Sequence, residues 1–152
     1  MKKLGTFFGT LLFMLFMQTH SLAADDKPGT QYFGVGATIQ EVGDGEFIVK
    51  TEGKKSEEGF VFSPKEKFTT EKIQLQVTLK GKGTVVVRIS ETNARGQFIK
   101  EANLTVQLTE DWATYGMPFT LESQSSQLDV FVVTKSEAET EFSVKDLTIS
   151  SQ

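Results

Sequence analysis

Cysteine is absent from this chain, and histidine occurs once, at His20. Without cysteine there is no disulfide framework, no thiolate nucleophile and no thiolate metal site. A catalytic triad or an imidazole general base would have to draw on that single N-terminal histidine. Proline is scarce, with three in 152 residues, and there is one tryptophan. Positive charge is in the minority, 16 Lys and Arg against 20 Asp and Glu, for a net charge of −4. That balance repels the nucleic-acid backbone and anionic membrane surfaces, so no nucleic-acid partner is expected. Beyond the N-terminal region no apolar run approaches the roughly 20 residues of a membrane-spanning helix, so no membrane insertion is expected either.

Residues 1–23 read as a bacterial-style secretory signal peptide. Lys2 and Lys3 precede an apolar run, Leu4–Met17, and Ser21 and Ala23 supply the small residues of a cleavage site after Ala23. Cleavage would remove His20, Lys2 and Lys3 but none of the 20 acidic residues. The remaining chain would be more acidic and would hold neither Cys nor His. No cysteine near the cut is placed to carry a lipid. The expected destination is extracellular or cell-wall associated. Residues 24–30 (ADDKPGT) read as a flexible lead-in, and 31–152 as a single domain. A core of this size buries about two-thirds of the unfolded surface, enough to fold without staples.

The domain carries period-two alternation and no long amphipathic helix. Along 70–79, Ile73, Leu75, Val77 and Leu79 share one side, and Gln74, Gln76 and Thr78 the other. Gly81-Lys82-Gly83 turns the chain into the apolar stretch 84–90, interrupted by Arg88. Asn93-Ala94-Arg95-Gly96 reads as a hairpin loop, after which Ala102, Leu104, Val106 and Leu108 alternate inward. Asp44-Gly45 marks another turn, and Pro64 ends a short strand over 58–63. In the last segment Phe142 and Val144 have one parity and Leu147 and Ile149 the other, which predicts a β-bulge near Lys145-Asp146. Eight or nine strands with a turn signal every ten residues or so predict an all-β fold, an antiparallel two-sheet β-sandwich.

The ordered segments EGFVFSP, TTEKIQLQVTLKGKG, VVVRISETNARGQFI, LTEDWATYGMPFTL and FSVKDLTI resemble the galactose-binding-like jelly-roll carbohydrate-binding modules attached to bacterial xylanases and endoglucanases. The likeness runs from about Gly34 to Ser150. It implies a jelly roll that binds a polysaccharide or other glycan and has no catalysis of its own. The same fold hosts many other roles. The alternative is therefore a structural or protein-binding module of the bacterial envelope or extracellular matrix with no sugar site. In these modules an Asp of the closing strand often contributes to a structural calcium. Asp146 matches that position, but Gln31-Tyr32-Phe33-Gly34 replaces the Asn-rich opening that supplies the other ligands. No other cofactor is expected.

For sugar recognition the sequence offers the polar sides of the central strands. Gln74, Gln76, Arg88, Asn103 and Gln107 combine neutral amides with one guanidinium, groups that pair with vicinal hydroxyls. A solvated sheet face is the bland reading of the same residues. Tyr32 and Tyr115 could stack at the ends of such a groove, and Phe131 either lines it or lies under a loop. Trp112 is read as a packed anchor of the sandwich, with a stacking platform as the rival. Glu57, Glu58, Glu137, Glu139 and Glu141 could be paired for glycoside hydrolysis. They sit in charge-rich turns and are read as solvated.

Overall fold

The computed structural model describes residues 30–152. The segment 1–23 expected as a signal peptide, and all of the expected lead-in except Thr30, lie outside the described residues. Ten strands follow: β1 Thr30–Val35, β2 Ala37–Gly43, β3 Glu46–Thr51, β4 Gly59–Pro64, β5 Lys72–Gly81, β6 Thr84–Thr92, β7 Phe98–Gln107, β8 Ala113–Thr120, β9 Gln127–Thr134 and β10 Glu141–Ser151. They form two five-stranded antiparallel sheets, ordered β1-β4-β9-β6-β7 and β2-β3-β10-β5-β8. We call these sheet I and sheet II. No helix among the described residues is long and apolar enough to cross a membrane.

From β3 to β10 nearly every connection passes from one sheet to the other; the β6–β7 hairpin is the exception. That is a jelly roll. The β1–β2 segment adds one further strand to the edge of each sheet, which is why the count is ten rather than eight or nine. These two strands are exposed along most of their length, and Gly34 and Gly36 interrupt the alternation that would have revealed them.

Alternation supplies the core. Val85, Val87 and Ile89 of β6 and Leu128, Val130 and Val132 of β9 meet Ile73, Leu75, Val77 and Leu79 of β5 between the sheets. Phe47, Phe60, Phe119 and Phe142 are buried there as well, each such side chain contributing about 1.5–3 kcal/mol. The bulge forms between Lys145 and Thr148, with Asp146 in the left-handed conformation at φ 49°. It returns Leu147 and Ile149 to the core side. In the β6–β7 hairpin, Asn93 Oδ1 accepts the N–H of Arg95 at 2.9 Å and of Gln97 at 3.0 Å.

One inward position of β6 is not apolar. Glu91 is fully buried, accepts the Glu122 N–H at 2.7 Å, and has the Lys100 ammonium 3.8 Å from its other oxygen. It ties the loop after β8 to the end of β6. Nothing in the period-two pattern announced a carboxylate in this role.

Candidate functional site

The outward sides of β5 and β6 do not meet. The Gly81–Gly83 connection carries the chain from sheet II to sheet I, so strands adjacent in sequence present their polar sides on opposite surfaces. The polar group expected as one face is therefore divided. Gln74 and Gln76 lie outside sheet II, whereas Arg88, Asn103 and Gln107 lie outside sheet I.

The outer surface of sheet I is built in cross-strand rows. The central row runs Phe33, Val61, Phe131, Arg88, Asn103, one residue from each strand in register. Beside it run Val35, Gly59, Val133, Val86, Thr105 and, on the other flank, Gln31, Ser63, Asp129, Ser90, Glu101. Val61 and Val133 are buried but stand apart from the inter-sheet core, so this surface has its own apolar floor. Phe33 and Val35 remain 44% and 41% exposed at the β1 edge. Phe131 is half-buried in the floor.

Arg88 organises the polar part of the row. Its guanidinium carbon is 5.8 Å from the Phe131 ring centroid, a cation–π arrangement. Its Nε donates to Asn103 Oδ1 at 2.8 Å, its Nη2 donates to Glu57, and Glu101 stands 3.8 Å away. Asn103 passes its own amide hydrogen to Glu101 at 3.2 Å. The hydrogen bond from Arg88 holds the Glu57 carboxyl below its ordinary value, and the same bond raises the Arg88 pKa.

Glu57 reaches Arg88 because of its neighbour. The Glu58 carboxylate is buried and accepts three backbone N–H groups, Gly53 at 2.6 Å, Lys54 at 3.0 Å and Lys55 at 2.9 Å. This closes the 53–58 loop and holds Glu57 in a left-handed conformation at φ 64°. Gly36 lies against the Glu58 side chain, where a Cβ would come within 2.6 Å. The expectation that Glu58 is solvated is thus corrected: the 53–58 loop presents three backbone donors, and the inward-turned Glu58 carboxylate accepts all three. Glu137 and Glu139 are exposed, and Glu141 pairs with Lys50 at 3.2 Å.

Other expected site residues fall elsewhere. Tyr32 points inward from β1, its ring 4.4 Å from that of Phe47, and its hydroxyl donates to Glu41 at 3.1 Å. Its neighbour Phe33 takes the outward position, a swap of one residue in parity. Tyr115 stands opposite Val77 and packs against the core. Gln107 is on the sheet I surface, but its amide is used within the β6–β7 pair, accepting from Thr84 at 2.8 Å and donating to Gly83 at 3.1 Å. Asp146 serves the bulge. A hard cation wants six or more oxygens. Among the described residues no three acidic, His or Cys side chains gather to hold a metal, so the residues at Asp146 do not fit the calcium site. Trp112 is half-buried outside the core, which corrects its reading as an anchor.

The residues missed from the sequence are Phe33, Glu101, Ser63 and Asp129; Glu57, offered by the sequence only as a paired or solvated carboxylate, is instead the partner of Arg88. Ser63 donates to Asp129, and this pair leads into an open cleft of about 780 Å³ bordered by Gln31, Lys67, Phe68 and Gln124. Parity of β1 and β9 could have found Phe33 and Asp129; nothing local could have paired Glu57 with Arg88.

Comparison with solved structures decides the architecture. A CBM4 module is 15% identical, with 81% of this chain and 86% of that one aligned at a TM-score of 0.58. The fold is that of the carbohydrate-binding jelly rolls. A family 11 carbohydrate-binding module from the cellulase Lic26A-Cel5E of Clostridium thermocellum aligns over 82% of this chain and 88% of its own at 10% identity and a TM-score of 0.59. A variant of the CBM29-2 module aligns over 81% of each chain at 17% identity and a TM-score of 0.57. The jelly roll also matches part of a larger enzyme, an α-L-arabinofuranosidase of which 22% is covered. No protein-family profile and no curated protein matches the sequence.

Proposed function

We propose that this chain is a secreted, non-catalytic carbohydrate-binding module, extracellular or held at the cell wall, that takes a polysaccharide across the outer surface of sheet I. The observation that carries the reading is the Phe33–Val61–Phe131–Arg88–Asn103 row on a jelly roll. Phe33 and Phe131 are two strands apart, roughly 10 Å. Two rings at that interval can stack sugar rings of one chain, while Arg88, Asn103 and Glu101 meet its hydroxyls. The carboxylates of this surface support binding rather than hydrolysis. A glycosidase acid needs a raised pKa, and Arg88 lowers that of Glu57. Export rests on the N-terminal signal pattern.

Titration calorimetry with soluble mixed-linkage glucan, cello- and manno-oligosaccharides tests the reading. Binding by the wild type to one of them, weakened about tenfold or more in Arg88→Ala and in Phe131→Ala, is the expected result. Absence of binding to a broad glycan panel would leave the exposed Phe33 and Val35 edge as a protein contact instead.

A further inference from the structure

The opposite surface, outside sheet II, carries the only tryptophan. The Trp112 indole has the Lys145 ammonium 4.3 Å and the Lys80 ammonium 4.6 Å from its ring centroid. The two cations are therefore no farther apart than the sum of those distances. Lys80 stands opposite Ser143 and Lys145 opposite Thr78, so they are diagonal neighbours on β5 and β10. The loop bearing Trp112 is fixed, with the Gly81 N–H donating to Thr109 at 2.8 Å and the Thr109 hydroxyl to Asp111 at 2.8 Å.

Two like charges have been brought together here without a counter-ion. Among the described residues neither Lys80 nor Lys145 has a carboxylate within ion-pairing distance. Nearby acids are engaged elsewhere: Glu110 with Lys82 at 3.1 Å and Glu141 with Lys50 at 3.2 Å. Asp111 and Asp146, the chain neighbours of Trp112 and Lys145, pair with neither lysine. Two ammonium groups without an ion-pair partner among the described residues keep their donors open to an anion. A cation–π contact to a partly exposed ring is weak, and both lysine stems are long. The exposed Thr114, its hydroxyl 2.8 Å from that of the buried Thr78, and the exposed Gln76 amide add neutral groups to the surface.

We infer that this Trp112–Lys80–Lys145 cluster is a second saccharide site, specific for an acidic sugar, in which the lysines bind the carboxylate of a uronic acid and the indole faces its ring. It is separate from the sheet I surface and does not depend on the reading given to that surface. Carboxylate chemistry fits the cluster because ammonium groups are point cations that lose little in turning from an indole to an anion.

Trp112 is the only indole, so emission excited beyond the absorption of the two tyrosines comes from this residue. Titrating the protein with trigalacturonic acid at low ionic strength should give a saturable change in emission that weakens as salt is raised. Lys80→Gln/Lys145→Gln should lower the affinity at least tenfold, and Arg88→Ala should leave it unchanged. Neutral cello-oligosaccharides should leave the emission unaltered whether or not they bind by calorimetry. No saturable change with trigalacturonate, an unaltered affinity in the double lysine variant, or its loss in Arg88→Ala would overturn the inference. Response to a sulfated heparin oligosaccharide but not to trigalacturonate would overturn the assignment to carboxylates.

Discussion

Arg88 and Phe131 are register partners on β6 and β9, and the guanidinium lies over the ring on the outside of sheet I. This contact joins the apolar floor of the surface to its polar network. Every hydrogen-bonding partner of Arg88 is held by a different stretch of chain, Asn103 by β7 and Glu57 by the 53–58 loop. The surface is therefore organised before any ligand arrives, which lowers the ordering cost of binding.

Arg88→Leu should keep the fold, because the side chain lies outside the inter-sheet core, and should release Glu57. Thermal unfolding is expected to shift by less than about 1 kcal/mol, the usual worth of a partly exposed ion pair. Glycan affinity, by calorimetry, should fall about tenfold or more. A large stability loss with unchanged affinity would make Arg88 a structural residue.

Glu58→Ala removes the acceptor of three backbone donors and should destabilise by about 2–3 kcal/mol in urea unfolding. Glu58→Gln should recover part of this, since one amide oxygen can still accept. Hydrogen exchange at Gly53, Lys54 and Lys55 should rise in both variants.

The Glu57–Arg88 pair predicts the pH response. Glu57 has a folded pKa below its ordinary 4.5, so its contribution is fully present above that value and is lost only as pH falls through the depressed one. Glycan affinity should be flat from about pH 5 to 8 and decline only in stronger acid. In Glu57→Gln the acid decline should shrink.

Gln74→Ala and Gln76→Ala should not weaken binding of a neutral glycan, because both residues lie outside sheet II. Gln74 is already engaged, accepting from Gln152 at 3.1 Å. Loss of neutral-glycan affinity in either variant, measured by calorimetry, would move the site to the other surface.

Trp112→Ala should destabilise by only about 1–2 kcal/mol in urea unfolding. The indole is half-buried and its two cation–π contacts are each worth about 0.5–1 kcal/mol. A loss of 3–5 kcal/mol, the cost of truncating a core aromatic, would place the ring in the packing of the sandwich after all.

Period-two alternation determined, from sequence alone, that the domain is a β-sandwich, which residues of β5 and β7 point inward, that Arg88 of β6 points outward, and that β10 must bulge beside Asp146; it left the inward side of β9 open. These follow because side-chain direction in a strand is a local property with a fixed period. Alternation cannot say which sheet a strand joins. Gln76 and Arg88 both read as outward, and only the sheet-to-sheet crossing at Gly81–Gly83 put them on opposite surfaces. The Glu57–Arg88 and Glu91–Lys100 pairs, and the meeting of Lys80 and Lys145 at Trp112, likewise belong to the tertiary structure. They depend on distances between segments remote in the chain, and these are fixed only when the two sheets close on one core.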